Sequence, residues 1–283
     1  MHFIPTTPEE EVQLLKGAAV TSFSELIEII PQKYRLKTNL GIGVPFSEME
    51  IERELKQLGD SNAADNFCFS GGGVYDHFIP KAVDFISGRS EYYTSYTPYQ
   101  AEVSQGTLQY LYEFQSMICE ISGMDIANAS LYDGASAIAE ACLLAHSFTR
   151  SNIILYSGSL NPHYIQVVKS YLTGQDMKLI QLPEINGITD LNSLKSYSEN
   201  IAAVIIQSPN RNGLIENWMK CKKKMLDPKS LLIAVSDPLA LSVLSPPGKC
   251  GADIYVGEGQ SLGNPMNYGG PLLGLMAVKE QYK

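Results

Sequence analysis

Short apolar runs alternate with helix-like stretches through the second half of the chain. We predict strands at residues 129–132, 153–156, 178–182, 202–207, 231–236 and 253–256. Between most of them, apolar residues recur at helical spacing, which predicts helices at residues 136–148, 162–172, 191–197 and 214–225. The run at 271–278 follows the preceding strand too closely for a helical crossover, so we predict that it pairs antiparallel. The pattern is typical of an α/β domain with a mainly parallel sheet covered on both faces.

The first part of the chain has a different pattern, with short helices joined by turns. A Thr-Pro pair followed by three glutamates at residues 7–11 predicts a helix start, because acidic side chains favour the positive end of a helix. Residues 21–30 predict a second helix that Pro31 ends. Residues 47–58 predict a third helix, with Gly59 as its C-terminal stop.

These patterns divide the chain into two regions. We expect residues 1–60 to form a helical N-terminal extension and residues 61–283 to form the large α/β domain. Gly, Tyr and Pro are crowded together as far as residue 106. A long amphipathic helix is then predicted at residues 104–121, with a stop at Gly123.

Charge and cysteine content exclude several classes of function. The 283 residues carry 21 Lys and Arg against 30 Asp and Glu, a net charge of −9, which argues against a nucleic-acid-binding surface. There is no apolar run long enough to cross a membrane and no secretory leader pattern. The five cysteines are scattered without metal-ligand spacing, which predicts a reduced, cytoplasmic protein with neither a disulfide framework nor a metal site.

The common catalytic motifs are missing from the sequence. The four histidines are far apart, and His146 lies in an Ala- and Leu-rich helix, where we predict a hydrogen-bonded structural role. The chain has no GxSxG nucleophile elbow, no GxxxxGK[ST] phosphate loop and no GxGxxG fingerprint. Gly71, Gly72 and Gly73 precede no strand–helix unit and are interpreted as a turn.

The tyrosine-rich segment, residues 91–106, has the most unusual composition in the chain. Tyr combines a rigid apolar ring with a hydroxyl group, which suits pocket walls and subunit contacts. The residue types alone leave two interpretations equally open: a loop packed on its own rings, or the wall of a substrate channel or subunit interface. The candidate residues are Tyr93, Thr94, Tyr96, Thr97, Tyr99, Gln100, Ser104 and Gln105.

Several long motifs, taken together, resemble one family. They lie in the same order at residues 74–80 (VYDHFIP), 93–109 (YTSYTPYQAEVSQGTLQ), 127–141 (ANASLYDGASAIAEA) and 257–271 (GEGQSLGNPMNYGGP). The chain resembles the glycine cleavage system P-protein, or decarboxylating glycine dehydrogenase, along its whole length. More narrowly, it is similar to the N-terminal-type subunit (subunit 1), which occurs where the P-protein is divided into two chains.

The resemblance implies a large domain of the fold-type I group of pyridoxal-phosphate (PLP) transferases. In that group an Asp pairs with the pyridine nitrogen, and Asp237 stands in this place. A helix start holds the phosphate, and Asp133, Gly134 and Ser136 stand there. Gln260 occupies the place of the Schiff-base lysine, and an amide cannot form that bond. We therefore expect a vestigial cofactor pocket with no catalytic residue of its own.

One other amine lies near this place in the sequence. Lys249 lies in the Pro246-Pro247-Gly248 loop before the strand at residues 253–256, and we interpret it as solvated.

The resemblance also implies what the chain does and with what. The expected function is that of the non-PLP-carrying subunit of an enzyme that decarboxylates glycine and transfers the aminomethyl group to the lipoyl arm of the H-protein. The PLP-bearing subunit 2, the lipoylated H-protein and glycine are the expected partners, in a heterotetramer. The isolated chain is expected to be inactive, and the tyrosine-rich segment would contact substrate or partner. The alternative is a non-catalytic scaffold or regulatory pseudoenzyme subunit.

The match to the family is imperfect in one loop and in length. Where the family has an Asn-Phe-Phe-Gly…Glu-Asp pattern, this chain has Arg211, Asn212 and Asn217 in place of two aromatic residues and an acid. Lost aromatic residues are expected to weaken a contact that used this loop.

The family's subunits also continue into a smaller C-terminal domain beyond the part that this chain resembles. We therefore expect a truncated product or fragment with an exposed apolar docking face.

Overall fold

The structure is a computed structural model that describes residues 6–38, 40–62, 67, 69, 71–92, 95–197 and 200–283. The chain divides into two compact units, Met1–Phe67 and Cys68–Lys283. Within the described ranges, no helix is both long enough and apolar enough to span a bilayer.

The first unit consists of short helices that begin at capping residues. They are α1 (Pro8–Gly17), α2 (Phe23–Leu26), a 3-10 turn (Gln32–Tyr34) and α3 (Glu48–Asp60). The Thr7 and Ser47 hydroxyls cap α1 and α3 in capping boxes, which confirms both predicted starts. No described residue of these helices is buried.

Two of the predicted helix limits in this unit are wrong. The second helix is a single turn, because the backbone after Leu26 continues as turns rather than as an α-helix. Gly59 lies inside α3 instead of ending it, and the helix continues to Asp60. Glycine is a common C-terminal stop only when it takes a left-handed conformation, and Gly59 does not.

The second unit contains the remaining helices and the strands of the described residues. Its helices are α4 (Lys81–Ser87), α5 (Gln105–Ser122), α6 (Gly134–Thr149), α7 (Pro162–Tyr171) and α8 (Trp218–Lys224). Its strands are β1 (Ile126–Ala127), β2 (Ile153–Ser157), β3 (Lys178–Leu182), β4 (Glu184–Ile185), β5 (Ile188–Thr189), β6 (Ile201–Gln207), β7 (Leu231–Val235), β8 (Ile254–Glu258) and β9 (Gly274–Val278). Five 3-10 turns lie at Ser90–Tyr92, Ser193–Ser196, Pro238–Ser242, Gln260–Leu262 and Glu280–Tyr282.

Seven strands form one sheet in the order β1-β9-β8-β7-β6-β2-β3. Strands β8, β7, β6, β2 and β3 are parallel, whereas β9 runs antiparallel to both β8 and β1. Strands β7 and β8 are buried along their whole length, as is usual for a parallel sheet covered on both faces. The α/β fold and the antiparallel last strand are confirmed.

The predicted strand at residues 129–132 is wrong. The paired segment is β1, three residues earlier, and Leu131 makes only an isolated bridge to Gly274. Ser130 has a left-handed φ of 99°, which breaks the extended backbone that a strand needs.

Two of the predicted helices are also shorter than expected. The helix predicted at 191–197 is a 3-10 turn at Ser193–Ser196. The helix predicted at 214–225 begins only at Trp218, where the Asn217 side chain accepts a hydrogen bond from Lys220 N at 2.8 Å. Asn217 is an exposed helix cap in this chain.

A buried carboxylate holds the amino end of β8. Asp253 is 3% exposed, and its Oδ2 accepts hydrogen bonds from Leu232 N at 2.8 Å and Lys222 Nζ at 2.5 Å. Its Oδ1 accepts a bond from the Tyr282 hydroxyl at 3.3 Å. The side chain therefore links α8, β7, β8 and the last turn of the described chain.

We predict that Asp253→Asn lowers the free energy of unfolding by about 2–4 kcal/mol, because the amide removes the charge that pairs with Lys222 and turns a donor toward other donors. Urea denaturation followed by circular dichroism measures this value. The control is Asp176→Asn, an exposed acid whose loss is expected to change the free energy by about 0.5 kcal/mol or less. Equal effects of the two substitutions would contradict the role given to Asp253.

Candidate functional site

One candidate site is a cavity of about 590 Å³ at the carboxyl ends of the parallel strands. Gln207 at the end of β6, Asp237 just after β7 and Glu258 at the end of β8 line it. The start of α7 also contributes to the wall, through Asn161 and Tyr164. Open α/β sheets bind ligands at this edge, so the position is the expected one for a functional site.

A glycine turn covers part of this cavity. Gly71, Gly72 and Gly73 all have positive φ angles, and Gly72 and Gly73 form a bend that lines the cavity where the sequence predicts a turn. Asn161 Nδ2 donates to the Gly72 carbonyl oxygen at 3.0 Å. A Cβ at Gly73 would lie 2.9 Å from Asn161 Nδ2, so the turn requires glycine there for both its backbone angle and its close approach.

Asp237 lies where the chain leaves β7 for a 3-10 turn. Its Oδ1 accepts hydrogen bonds from Leu239 N at 2.8 Å and from the Ser261 hydroxyl at 3.2 Å. One of its oxygens is therefore held by the chain itself.

Asp133, Gly134 and Ser136 form the first turn of α6. Asp133 Oδ1 accepts a hydrogen bond from Ser136 N at 2.6 Å, and Asp133 N donates in return to Ser136 Oγ at 3.1 Å. Gly134 N donates to Glu258 Oε2 at 2.9 Å. The N–H groups of Gly134 and Ser136, which the sequence suggested for a phosphate cradle, already have carboxylate acceptors.

Glu258 is a central residue of the site that sequence reasoning missed. It is 9% exposed, and its Oε1 accepts hydrogen bonds from Gln260 N at 3.0 Å and Leu273 N at 2.9 Å. Burial raises the pKa of the Glu258 carboxyl above its usual range, and the backbone N–H groups of Gly134, Leu273 and Gln260 oppose the shift. The available signal was an acid at the end of a buried apolar strand.

The side chain of Gln260 has a structural role in the site. It is 2% exposed, its Nε2 donates to the Asn264 carbonyl oxygen at 2.7 Å, and its Oε1 accepts from Tyr75 N at 3.5 Å. The side chain thus joins two loops. Lys249 is exposed in the loop before β8, in agreement with its prediction as a solvated amine.

The tyrosine-rich segment is only partly described. Tyr93 and Thr94 lie outside the described residues. Tyr96 and Tyr99 are 102% and 92% exposed, so neither ring packs on the loop. The other candidates differ in burial: Thr97, Gln100 and Gln105 are exposed, whereas Ser104 is buried.

A second buried carboxylate supports the loop after β6. Glu216 is 4% exposed, and its Oε1 accepts hydrogen bonds from Ser159 Oγ, Asn210 Nδ2 and both the N–H and the hydroxyl of Thr189, at 2.9–3.1 Å. Its Oε2 is buried without a hydrogen-bond partner among the described residues. One oxygen of this side chain therefore carries all its hydrogen bonds.

The unusual residues of this loop are accommodated locally. Arg211 lines the cavity with its Nη2 3.6 Å from Glu184 Oε1. Asn212 donates through its backbone N–H to Asn210 Oδ1 at 3.0 Å and through Nδ2 to the Gly187 carbonyl oxygen at 3.2 Å.

Of the histidines, which lie far apart in the sequence, His77 and His163 both line the cavity, whereas His146 is structural. His146 Nδ1 lies 2.8 Å from the Ser151 carbonyl oxygen, which confirms its structural role. Among the described residues, no group of three or more His, Cys, Asp or Glu side chains is placed to hold a metal ion.

The cavity does not fit a covalently bound pyridoxal phosphate. Gln260 offers no amine, and its amide is already bonded to the loops. Glu258 takes the N–H of Gly134 at the start of α6, and Asp237 Oδ1 is bonded to Ser261. No reaction step of this chain is therefore assigned to a cofactor of its own.

Comparison with known proteins gives consistent matches. The family described as "Glycine cleavage system P-protein" matches residues 1–283. A protein of Desulforamulus reducens named "Probable glycine dehydrogenase (decarboxylating) subunit 1" is 47% identical, and the match covers 100% of this chain and 64% of that protein. A protein of the same name from Syntrophomonas wolfei is 46% identical, covering 100% and 65%. The chain thus spans just under two thirds of the length of these relatives.

Solved structures agree with the sequence matches. A crystal structure of glycine decarboxylase (P-protein) of the glycine cleavage system, in inhibitor-bound form, aligns with a TM-score of 0.89 at 40% identity over 100% of this chain and 64% of that chain. Burkholderia pseudomallei sphingosine-1-phosphate lyase aligns with a TM-score of 0.63 at 12% identity over 88% of this chain and 62% of that one, a likeness of fold alone.

The two buried glutamates give a matched prediction. We predict that Glu258→Gln lowers the free energy of unfolding by about 1–3 kcal/mol, because both of its oxygens accept N–H groups and an amide must turn a donor toward one of them. Glu216→Gln is expected to cost about 1 kcal/mol or less, because its oxygen Oε1 can remain as the amide carbonyl. Urea denaturation of both variants measures the difference. A larger loss at Glu216 would contradict these hydrogen-bond assignments.

Proposed function

Because the chain belongs to the glycine cleavage system P-protein family, we propose that it acts as the subunit of decarboxylating glycine dehydrogenase that does not carry PLP. The proposed whole enzyme decarboxylates glycine and transfers the aminomethyl group to the lipoyl arm of the H-protein. The cofactor supplies the electron sink for this chemistry when it is bound. The part of this chain is to complete the site of a partner and to orient what enters it.

The observation that carries the proposal is a family match over the whole chain combined with a cofactor position filled by the chain's own side chains. The family resemblance puts Gln260 in the place of the Schiff-base lysine. In the structure, Gln260 is bonded to its loop and Glu258 to the start of α6. A P-protein subunit with this arrangement needs PLP on another subunit. We therefore assign PLP to the partner, subunit 2.

The surface proposed to meet the partner or the substrate is the tyrosine-rich segment. Tyr96 and Tyr99 expose their rings almost completely, and exposed aromatic residues are typical of the energetically important parts of interfaces. Tyr93, Thr94, Thr97, Gln100 and Gln105 are proposed members of the same surface. Ser104 is buried directly before α5, and we propose that it positions this helix.

The scaffold alternative receives less support than the enzyme subunit. The relatives from Desulforamulus reducens and Syntrophomonas wolfei are named as glycine dehydrogenase subunits, and the structural neighbour at 40% identity is a glycine decarboxylase. No observation on this chain favours a purely regulatory role.

The organisation of the proposed enzyme follows from the same family. We propose a heterotetramer with the PLP-bearing subunit and transient contact with the lipoylated H-protein. A helical extension over residues 1–60 and a transferase-like domain over residues 61–283 remain the proposed domains. A cytoplasmic location is supported by free thiols at Cys119, Cys142, Cys221 and Cys250.

The direct test is reconstitution. We expect the purified chain mixed with PLP to show no visible absorbance band of bound cofactor and no release of CO2 from glycine. Adding the lysine-bearing partner is expected to give both, together with co-elution in size-exclusion chromatography. A band from this chain alone that borohydride reduces would contradict the proposal, as would full activity of the partner alone.

The role of the exposed tyrosines is tested within the reconstituted complex. We predict that Tyr96→Phe lowers glycine turnover about 5–10-fold with assembly unchanged, because it removes one hydroxyl hydrogen bond and keeps the ring. The control is Tyr171→Phe at the far end of α7, a ten-residue helix whose start lines the cavity. Normal turnover of the Tyr96 variant in an intact complex would contradict an active-site contribution.

A further inference from the structure

The start of α6 has the physical properties of an anion site. The helix is 16 residues long, so the unpaired N–H groups of its first turn carry a partial positive charge. Two of these N–H groups already have carboxylate acceptors, since Glu258 accepts from Gly134 N and Asp133 accepts from Ser136 N. The ligand of the turn is thus supplied by the chain.

The space for a ligand at the start of α6 is limited as well. A Cβ on Gly134 would lie 3.2 Å from both the Cβ and the backbone N of Glu258, so the helix start lies directly against the end of β8. Glu258 is 9% exposed, and its carboxylate lies 2.9 Å from Gly134 N at this helix start. A phosphate group could enter only where this side chain leaves.

We propose that Glu258 is an internal ligand that takes the place of a phosphate at the start of α6 and thereby prevents this chain from binding phosphorylated pyridoxal-type cofactors. This inference rests on the proposed function, in which PLP belongs to the partner, and it identifies the residue responsible. Gln260 accounts only for the missing covalent bond. Non-covalent binding through the phosphate would persist without a second obstacle, and Glu258 is that obstacle.

The charges around the cavity act in the same direction. Glu258, Asp133 and Asp237 all carry carboxylates near the cavity wall. Burial raises the pKa of the Tyr164 hydroxyl, and the nearby negative charges of Glu258, Asp133 and Asp237 raise it further. A phosphate dianion would meet repulsion there in addition to a filled site.

The same carboxylate also fixes the loop that carries Gln260. Glu258 Oε1 accepts from Gln260 N and Leu273 N, which lie on either side of this loop. Replacing Gln260 by lysine therefore leaves the obstacle in place.

The test uses two probes that cannot form a Schiff base, pyridoxamine 5′-phosphate and unphosphorylated pyridoxamine. Isothermal titration is carried out on the native chain, Glu258→Ser, Gln260→Lys and the control Glu120→Ser, which removes an exposed glutamate on α5. We expect Glu258→Ser alone among these four to bind the phosphorylated probe about tenfold or more tightly than pyridoxamine, through the freed Gly134 N–H. The other three are expected to show no preference.

A second measurement needs no variant. Inorganic phosphate titrated into the native chain is expected to leave the Gly134 and Ser136 amide signals unshifted in NMR spectra. A saturable shift of these signals would overturn the inference even if Glu258→Ser did not fold.

The outcomes separate this inference from the proposed function. A native chain that prefers the phosphorylated probe would overturn both the role of Glu258 and the assignment of PLP to the partner alone. A native chain without preference, together with a folded Glu258→Ser that gains none, would overturn only the role of Glu258. Folding of each variant is checked by circular dichroism and thermal unfolding.

Discussion

The edge of the sheet at the carboxyl ends of its parallel strands depends on the hydrogen bonds of the Glu258 carboxylate. Its two oxygens accept the N–H groups of Gly134, Gln260 and Leu273, which belong to the start of α6, the loop after β8 and the approach to β9. Buried N–H groups without acceptors are costly, so these three segments have a strong reason to converge on one side chain. This convergence fixes the part of the cavity wall that Glu258 lines.

Strand β8 is held by an acid at each end. Asp253 at its amino end binds the backbone of β7 and the side chains of Lys222 and Tyr282, and Glu258 at its carboxyl end binds the helix start and the following loop. Both acids are at least nine-tenths buried, where an ionised group is stable only when it is fully hydrogen-bonded. The two carboxylates thus fix both ends of β8, which lies between its parallel neighbour β7 and its antiparallel neighbour β9.

Sequence patterns correctly predicted those features of the fold that depend on neighbouring residues. The strand at 178–182 has the predicted bounds, and Thr7 and Ser47 cap their helices, because propensity and capping act within a few residues. The strand predicted at 129–132 failed because the left-handed backbone at Ser130 is not visible in hydrophobicity. The hydrogen bond from Gly134 to Glu258 spans 124 residues of sequence, and only the assembled sheet brings its two ends together. Asp133 and Asp237 were selected by resemblance to a family, since periodicity alone marks no functional residue.

When polar groups of a cavity are hydrogen-bonded within the chain, they are not available to bind a ligand there. A fold that binds a cofactor must keep donors and charges unpaired until the ligand arrives, and those groups cost stability in its absence. Here Ser261 and Leu239 hold one oxygen of Asp237, and the loops hold Gln260, so these groups have partners without a ligand. On the surface, Tyr96 and Tyr99 extend their rings into solvent. Burying such rings against a second protein releases water from a large apolar area and orders only two side-chain torsions for each ring, which is a favourable basis for a specific contact. In the proposed enzyme, the large domain therefore serves as a rigid support that needs no cofactor, and it presents this segment to the subunit where the chemistry takes place.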